Sequence, residues 1–447
     1  MRYARVAALD PSGAMRPGWP IEFVRGDVRG ILPREDGSVA ILACVPPIAD
    51  GAAEACHLHL LAADGGERPG WPVEEPTATV CVPPLAGPGD SVYLICSGVG
   101  ERTTLRVIAL DPTGTPRQGS PAMFETSVYV PFSPHIASDG TLYFVTQTAE
   151  QVVQVHALNA ALEERGGWPF VGAGAHSEAY RDVGYVLGPN GTPYIWWYDG
   201  NGEPGICVKA DRTVIAAVGS DGRALAGWPR TVAGVAVPPV VAADGTVYVA
   251  SAPGGESTTG AVSIVAISPS GQTKAGWPRT APSLSGYCPE LDLRLAITPD
   301  GRAVLMQNTR TATNDQQGVI VVLDAAGAAQ SGWLVPGMAL GTGCTGCTPG
   351  SPPLAPLFAQ DGTAYVLMGQ GEGAPSTQVI AFDRQGRVLT GWPHLISATG
   401  LMHAGIFLGR DERLYVILET QPDGGYEQST ATLRLYVLGT DGRPVTG

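Results

Sequence analysis

Short apolar runs alternate with turn residues along the entire chain. In "PPVVAADGTVYVAS", "FSPHIASDGTLYFVT", "APLFAQDGTAYVLM" and "GYVLGPNGTPYIWW", two apolar runs flank an Asp-Gly or Asn-Gly pair. Such pairs accept positive φ and are preferred in two-residue hairpin turns, so the runs are predicted as antiparallel neighbours, strands A and B. A third run, "SIVAIS" or "TQVIAF", precedes a Pro-Ser-Gly or equivalent turn and predicts strand C, and the "GWP" segment after it predicts a short strand D. Runs such as "YVLMG" and "IVVLD" are apolar throughout rather than alternating, the pattern of strands covered on both faces.

The four-strand unit repeats. Its Trp falls at Trp19, Trp71, Trp168, Trp228, Trp277, Trp333 and Trp392, and "LDPTGTPRQGSP" is a copy with Ser120 in the Trp slot, so the steps run from 48 to 60 residues. Antiparallel meanders of this size, repeated about eight times without helical stretches between them, predict an all-β fold, an eight-bladed β-propeller of four-stranded blades. The alternative is seven blades plus terminal half-blades. The chain begins inside a strand C and ends at Gly447, the position of Gly391 in the preceding repeat. The expectation is one propeller domain over residues 1–447, its ring closed where strands at 3–20 join the blade at 403–447, or else a segment of a longer chain. In "DPSG", Asp, Pro and Gly stand where a type I turn wants them. The Trp that follows is expected to bury its ring against the adjacent blade, and its Pro, which has no N–H to donate, suits an edge strand.

Composition sharpens this. Gly at 60 and Pro at 39 serve the many turns, and charged residues are only 15% of the chain. The net charge is -14, lysines occur only at Lys209 and Lys274, and no basic stripe is present, which excludes the electrostatic footprint of a nucleic-acid binder. No apolar run approaches the ~18 residues of a membrane span. The opening "MRYARVAALDPSG" has no signal-peptide core.

The pattern "ALDPSG…GWP" with "DGTVYV" resembles the repeat of PQQ-like, quinoprotein-dehydrogenase-like propellers, including bacterial extracellular propellers with "DG…GWP" blades. The resemblance spans nearly the whole chain. It implies eight blades and, for an enzyme, a quinone held by an adjacent Cys-Cys disulfide, an acidic base and calcium ligands. This chain has no Cys-Cys pair; its nearest approach is Cys344 and Cys347 in "GCTGCTPG", with Thr348 where covalent haem needs His. PQQ and calcium stay as alternatives, and no cofactor is assigned.

Eight cysteines suit disulfides and an oxidising compartment, extracellular or periplasmic. Cys44 and Cys56 are symmetric about "IADGAA", and Cys81 and Cys96 about "GPGD", so each pair is expected to face across a hairpin. Cys288 and the Cys344/Cys347 pair lie on successive D–A crossovers and could tie two blades; Cys207 has no evident partner.

Alternation places the A–B and C–D turns on one edge and the B–C loops and D–A crossovers on the other. All long insertions fall on the second edge, in blades four to eight, which places a site there. Candidate contacts are Tyr198, Asp199 and Asn201 in "YIWWYDGNG", Tyr287 and Asp292 in "YCPELDLR", Arg310 in "QNTRTATNDQQG", and Tyr426 in "GGYEQ". Trp196 is read as core. Catalytic candidates are Arg294, Glu290, His403 and His176, with strands A lining the channel and bringing Arg294, His135 and His403 near it, and Asn314 with Asp315 could offer metal oxygens. No Gly-x-Ser-x-Gly, His-Glu-x-x-His or phosphate loop accompanies them. The sequence is therefore read as a binding or interaction propeller of an exported bacterial protein, a monomer taking a protein or carbohydrate ligand. The alternative is a propeller enzyme, quinone-linked or acting on polysaccharide.

Overall fold

The computed structural model describes residues 3–10, 13–24, 27–45, 55–75, 78–98, 103–127, 134–150, 152–176, 183–199, 208, 210–254, 259–285, 293–310, 316–330, 339–340, 354–369, 376–397, 401–409, 411–420 and 432–445. The architecture is an all-β β-propeller of eight antiparallel blades, with no α-helix among the described residues. An amino-terminal ribbon pairs Tyr3–Val6 with Ile21–Val24. Blade 1 follows as Asp27–Pro33, Val39–Val45, Ala55–Leu61 and Val73–Glu75. The central strands B and C of later blades are Val92–Gly98 and Thr103–Leu110 in blade 2, Leu142–Gln147 and Val152–Leu158 in blade 3, and Pro193–Asp199 and Arg212–Ala217 in blade 4. They continue as Val247–Ala252 and Thr259–Ile267 in blade 5, Ala303–Arg310 and Gln316–Leu323 in blade 6, and Ala364–Gly369 and Ser376–Phe382 in blade 7. Blade 8 has three strands among the described residues, Leu401–Leu408, Leu414–Thr420 and Thr432–Leu438.

Two compact units make up the chain. One comprises Met1–Gly184 with Val218–Arg223 and Gly447, and the other Tyr185–Ala217 with Ala224–Thr446. The strands B of blades 3, 4 and 5 are buried along almost their whole length, as their unbroken apolar runs require.

Both tight turns share one geometry, and it differs from the two-residue hairpin expected of Asp-Gly. In the A–B turn of blade 5, the Gly245 amide donates to the Ala242 carbonyl and the Ala242 amide to the Thr246 carbonyl, each at 2.8 Å. Only Gly245 takes positive φ, at 80°, so three residues form the loop and Gly is its exit. Asp244 spends its carboxylate instead on the Thr246 amide, at 2.9 Å. The C–D turn repeats this: Gly271 donates to the Ser268 carbonyl at 2.8 Å with φ of 78°.

The Gly-Trp phrase is a joint to the next blade. The indole N–H of Trp19 donates to the Ala63 carbonyl, Trp71 to Pro112, Trp168 to Ser220, Trp228 to Pro269, Trp277 to Ala325 and Trp392 to Thr440, all between 3.0 and 3.2 Å. Each of these rings is buried. Four of them meet a strand B tyrosine of their own blade edge to face, as Tyr248 meets Trp277 at 5.5 Å. The preceding Gly completes the joint. Gly227 has φ of 85°, and a Cβ there would sit 2.2 Å from the Ser270 carbonyl oxygen, so only glycine lets the two turns close. Trp333 lies outside the described residues.

Both disulfides predicted across hairpins form. Cys44 bonds Cys56 between strands B and C of blade 1, and Cys81 bonds Cys96 between strands A and B of blade 2. All four cysteines lie in one apolar cluster with Leu58, Trp71 and Leu94. Cys207, Cys288, Cys344 and Cys347 lie outside the described residues.

A second clip joins the two turns of a blade. Arg68 from the C–D turn reaches Asp36 of the A–B turn at 2.7 Å, Arg165 reaches Asp139 at 2.9 Å, and Lys274 reaches Asp244 at 3.4 Å. The Ser38 hydroxyl, the Ser38 amide and Arg68 together hold the Asp36 carboxyl down at about 2. For Asp244 the Thr246 amide contributes most to a shift in the same direction.

Two outcomes are expected. Trp228→Ala costs about 3–5 kcal/mol and Trp228→Phe, which keeps a ring but orphans the Pro269 carbonyl, about 1–3 kcal/mol, both read by urea unfolding. Because the folded Asp36 value lies below the ~3.9 of an unfolded aspartate, its stabilisation is complete above about pH 4 and disappears as pH falls toward 2. Thermal melts from pH 6 to 2 should therefore show a smaller acid loss for Asp36→Asn than for the parent.

Candidate functional site

A cleft of about 550 Å³ opens on the B–C loop and D–A crossover edge, in blades 2 and 3. One wall is the end of strand D of blade 2, Ala122–Thr126, extended by Ser127. The B–C corner of blade 3, residues 147–150, forms the opposite rim, and Gln154 and His156 of strand C form the floor. The corner is fastened to the wall by main-chain and hydroxyl bonds. The Ser127 amide donates to the Gln147 carbonyl at 2.7 Å, the Gln147 amide to the Thr126 hydroxyl at 3.2 Å, and the Ser127 hydroxyl to the Thr148 carbonyl at 3.0 Å. The lining is thus fixed before any ligand arrives.

His156 is the most constrained group in it. Its Nδ1 lies 2.8 Å from Glu164 Oε2 and its Nε2 2.8 Å from the Thr146 hydroxyl, while Glu164 Oε1 accepts the Ala157 amide at 3.1 Å. The ring stacks on Phe144 at 4.8 Å and meets Phe124 edge to face at 5.1 Å. Hydroxyl, imidazole and carboxylate in line is the order of a nucleophilic triad. Blade 1 decides how to read it. There His59 Nδ1 lies 2.9 Å from Glu67 Oε2, Glu67 Oε1 accepts the Leu60 amide at 3.2 Å, and Phe23 meets His59 edge to face at 5.1 Å. The hydroxyl position, two residues beyond the partner of the His on strand B, holds Thr146 in blade 3 and Ala43 in blade 1. The His–Glu pair is therefore a brace that ties strand C to its own C–D hairpin. Thr146, 1% exposed and absent from the cleft lining, adds a bond to it and offers no attacking oxygen.

Chemistry of the lining follows from what remains. The half-buried Gln154 amide makes no hydrogen bond to the described residues. Phe124 supplies an apolar ring, Thr148 and Ser127 supply hydroxyls, and Glu125 and Glu150 stand exposed at the rim. No Lys or Arg is among the described residues that line the cleft. The arrangement can hold a polar ligand by its face and edges.

Sequence reasoning missed this cleft because it weighted long insertions. A signal was present: His59 and His156 each stand twelve residues before the repeat Trp and eight before a Glu.

The predicted residues are placed as follows. Tyr198 is buried beside Trp196, with its hydroxyl donating to the Ala236 carbonyl at 2.7 Å, and Trp196 belongs to the same core. Asp199 holds its cross-strand neighbour Arg212 through Nη2 at 2.6 Å and Nε at 2.9 Å. Arg294 is half-buried on strand A of blade 6 opposite Met306, where burial pushes its guanidinium down from the usual range. His135 is exposed opposite Tyr143, His176 stands opposite Val152, His403 opposite Glu419 and Arg310 opposite Gln316. Asn201, Tyr287, Glu290, Asp292, Asn314, Asp315 and Tyr426 lie outside the described residues. Among the described residues no group of three or more His, Cys, Asp or Glu is placed to hold a metal ion. No described helix is long and apolar enough to cross a membrane.

One buried amide stands apart. Gln307 of blade 6 is fully buried, and neither its oxygen nor its nitrogen finds a hydrogen-bond partner among the described residues. If that site holds no bound group, Gln307→Met removes two orphaned polar atoms at similar volume and stabilises the fold by about 1–3 kcal/mol in urea unfolding. A loss of stability instead would reveal a bound group that the amide serves.

No family model matches the sequence, and no curated protein matches it. Among solved structures, the chain is similar to Sqt1 from Chaetomium thermophilum, with 13% identity, a TM-score of 0.45, and coverage of 88% of this chain and 94% of that one. It is similar to polysaccharide lyase Uly1 at 11% identity and a TM-score of 0.40, covering 78% and 87% of the two chains. A glucose dehydrogenase matches at 14% identity and a TM-score of 0.30, covering 66% and 94%. Likenesses this distant carry no argument about activity, and the propeller assignment rests on the strand pairing itself.

Proposed function

We propose that this chain is a binding propeller of an exported bacterial protein, built on a PQQ-like type of repeat, and that it holds a polar ligand at the B–C loop and D–A crossover edge without transforming it. The cleft of blades 2 and 3 carries this reading: its corner is fastened to its wall by hydrogen bonds, its described lining offers the Phe124 ring, uncharged hydrogen-bonding groups and two glutamates at the rim, and the imidazole of His156 is committed on both nitrogens. Two disulfides support an oxidising location, extracellular or periplasmic. Loop residues Asn201, Tyr287, Asp292, Arg310 and Tyr426 remain proposed contacts for a partner on the same edge of later blades.

The test is a glycan and peptide array probed with the purified chain, followed by calorimetry on each hit. Phe124→Ala and Gln154→Ala are each expected to weaken a true ligand at least tenfold while leaving the melting temperature within about two degrees, and no product should form on prolonged incubation. Hits indifferent to both variants would place recognition elsewhere. Turnover of a hit would replace the binding reading with an enzymatic one.

A further inference from the structure

We infer that, apart from the cleft, the protein has a second docking surface: the edge of blade 8, which takes an extended strand of a partner protein carrying Trp, an acidic residue three positions on and an apolar residue four positions on. Strand C of blade 8, Thr432–Leu438, pairs with strand B along its whole length, and no strand lies on its other side among the described residues. In blade 7 that side is taken. There Val379 stands opposite His394, Gln378 opposite Leu395 and Thr377 opposite Ile396 of strand D. Counted back from the first residue of the C–D turn, Asp383 in blade 7 and Gly439 in blade 8, the same three positions of blade 8 are Leu435, Arg434 and Leu433. The edge of a sheet presents a row of main-chain donors and acceptors, a template for one more strand.

Side chains choose which strand. In blade 7, Trp392 and Ile396 of strand D share one apolar cluster with Tyr365, Leu367 and Val379, and Tyr365 meets Trp392 edge to face at 5.6 Å. Blade 8 repeats the last three as Tyr415, Ile417 and Leu435, and no ring meets Tyr415 among the described residues. Leu433 is 70% exposed and Leu435 41%. At the Leu435 position, blades 1, 2, 4, 5 and 7 hold Leu58, Val107, Ile215, Ile264 and Val379, none more than 1% exposed. An indole over Tyr415 and an apolar residue opposite Leu433 restore part of the burial that the copies have. Charge sets the remaining position. Arg434 is exposed and makes no ion pair with the described residues. Its counterpart in the amino-terminal ribbon, Arg5, stands opposite Glu22 at 2.5 Å, and Glu22 follows Trp19 by three residues. An acid at that position of the docked strand completes the same cross-strand pair with Arg434.

The experiment is calorimetry on the full chain with an acetylated, amidated peptide of residues 16–25, RPGWPIEFVR, which carries Trp, Glu and Phe at the required positions. One peptide per chain is expected to bind, and peptides with Trp19→Ala or Glu22→Lys should bind at least tenfold more weakly. Arg434→Glu in the chain should lose the parent peptide by the same factor and recover the Glu22→Lys peptide, a reciprocal gain that a misfolded variant does not give. Leu435→Ser should weaken every peptide. Three results would overturn the docking edge: no binding of the parent peptide, equal binding of a scrambled peptide, or binding that Arg434→Glu and Leu435→Ser leave unchanged. Light scattering on the chain alone separates the sources of the strand. A single-chain mass supports a separate partner protein, whereas assembled copies that the peptide disperses would overturn that partner in favour of a second copy of this chain.

Discussion

Six junctions between blades hang on a hydrogen bond from an indole to a main-chain carbonyl. A blade has two apolar faces and cannot exist alone, so each must find its neighbour in one register. The Gly-Trp phrase supplies the register: the ring fills the space between blades, its N–H picks one carbonyl on the next C–D turn, and the glycine before it makes room for that turn. A burial force without direction becomes, through one donor, a position. The acid-to-cation clip between the two turns of a blade, as in Asp36 and Arg68, keeps the acceptor turn where the indole expects it.

Much of this was legible in the sequence, because repetition amplifies a weak signal. One Trp-Pro phrase means little; six copies of it, with Trp333 and Ser120 marking the same slot in two further repeats, give eight units and their strand order. The two disulfides were legible for a related reason, since residues symmetric about a turn face each other in a hairpin. Turn geometry was not, since an Asp-Gly pair fits two loop lengths, and what chooses between them is the Asp carboxylate capping the residue after Gly. That bond is invisible until the strand ends are placed.

The cleft was less legible still. Loop length drew attention to blades four to eight, whereas the cavity of blades 2 and 3 is shaped by a short corner and by the way Ser127 fastens it. Tyr198 shows the converse: it looked like a surface aromatic at a loop, yet the Ala236 carbonyl of the next blade takes its hydroxyl into the core. Repetition also clarified chemistry. The triad-like line through His156 would invite a catalytic reading in isolation, and the copy in blade 1, with Ala43 where Thr146 would be, identifies the constant part as structural.

The acceptors of the indole bonds belong to Ala63, Pro112, Ser220, Pro269, Ala325 and Thr440, with scarcely a side chain in common. That variety follows from the choice of a carbonyl, which all residues carry, as the receiving group. The donor half of the contact is an indole in six repeats, with Ser120 in its slot in another, and the receiving half is indifferent to sequence. A copied unit can thus be fitted beside any other without matched changes on both sides, and the outer residues of each unit are left open to diverge toward new ligands while the coupling stays the same.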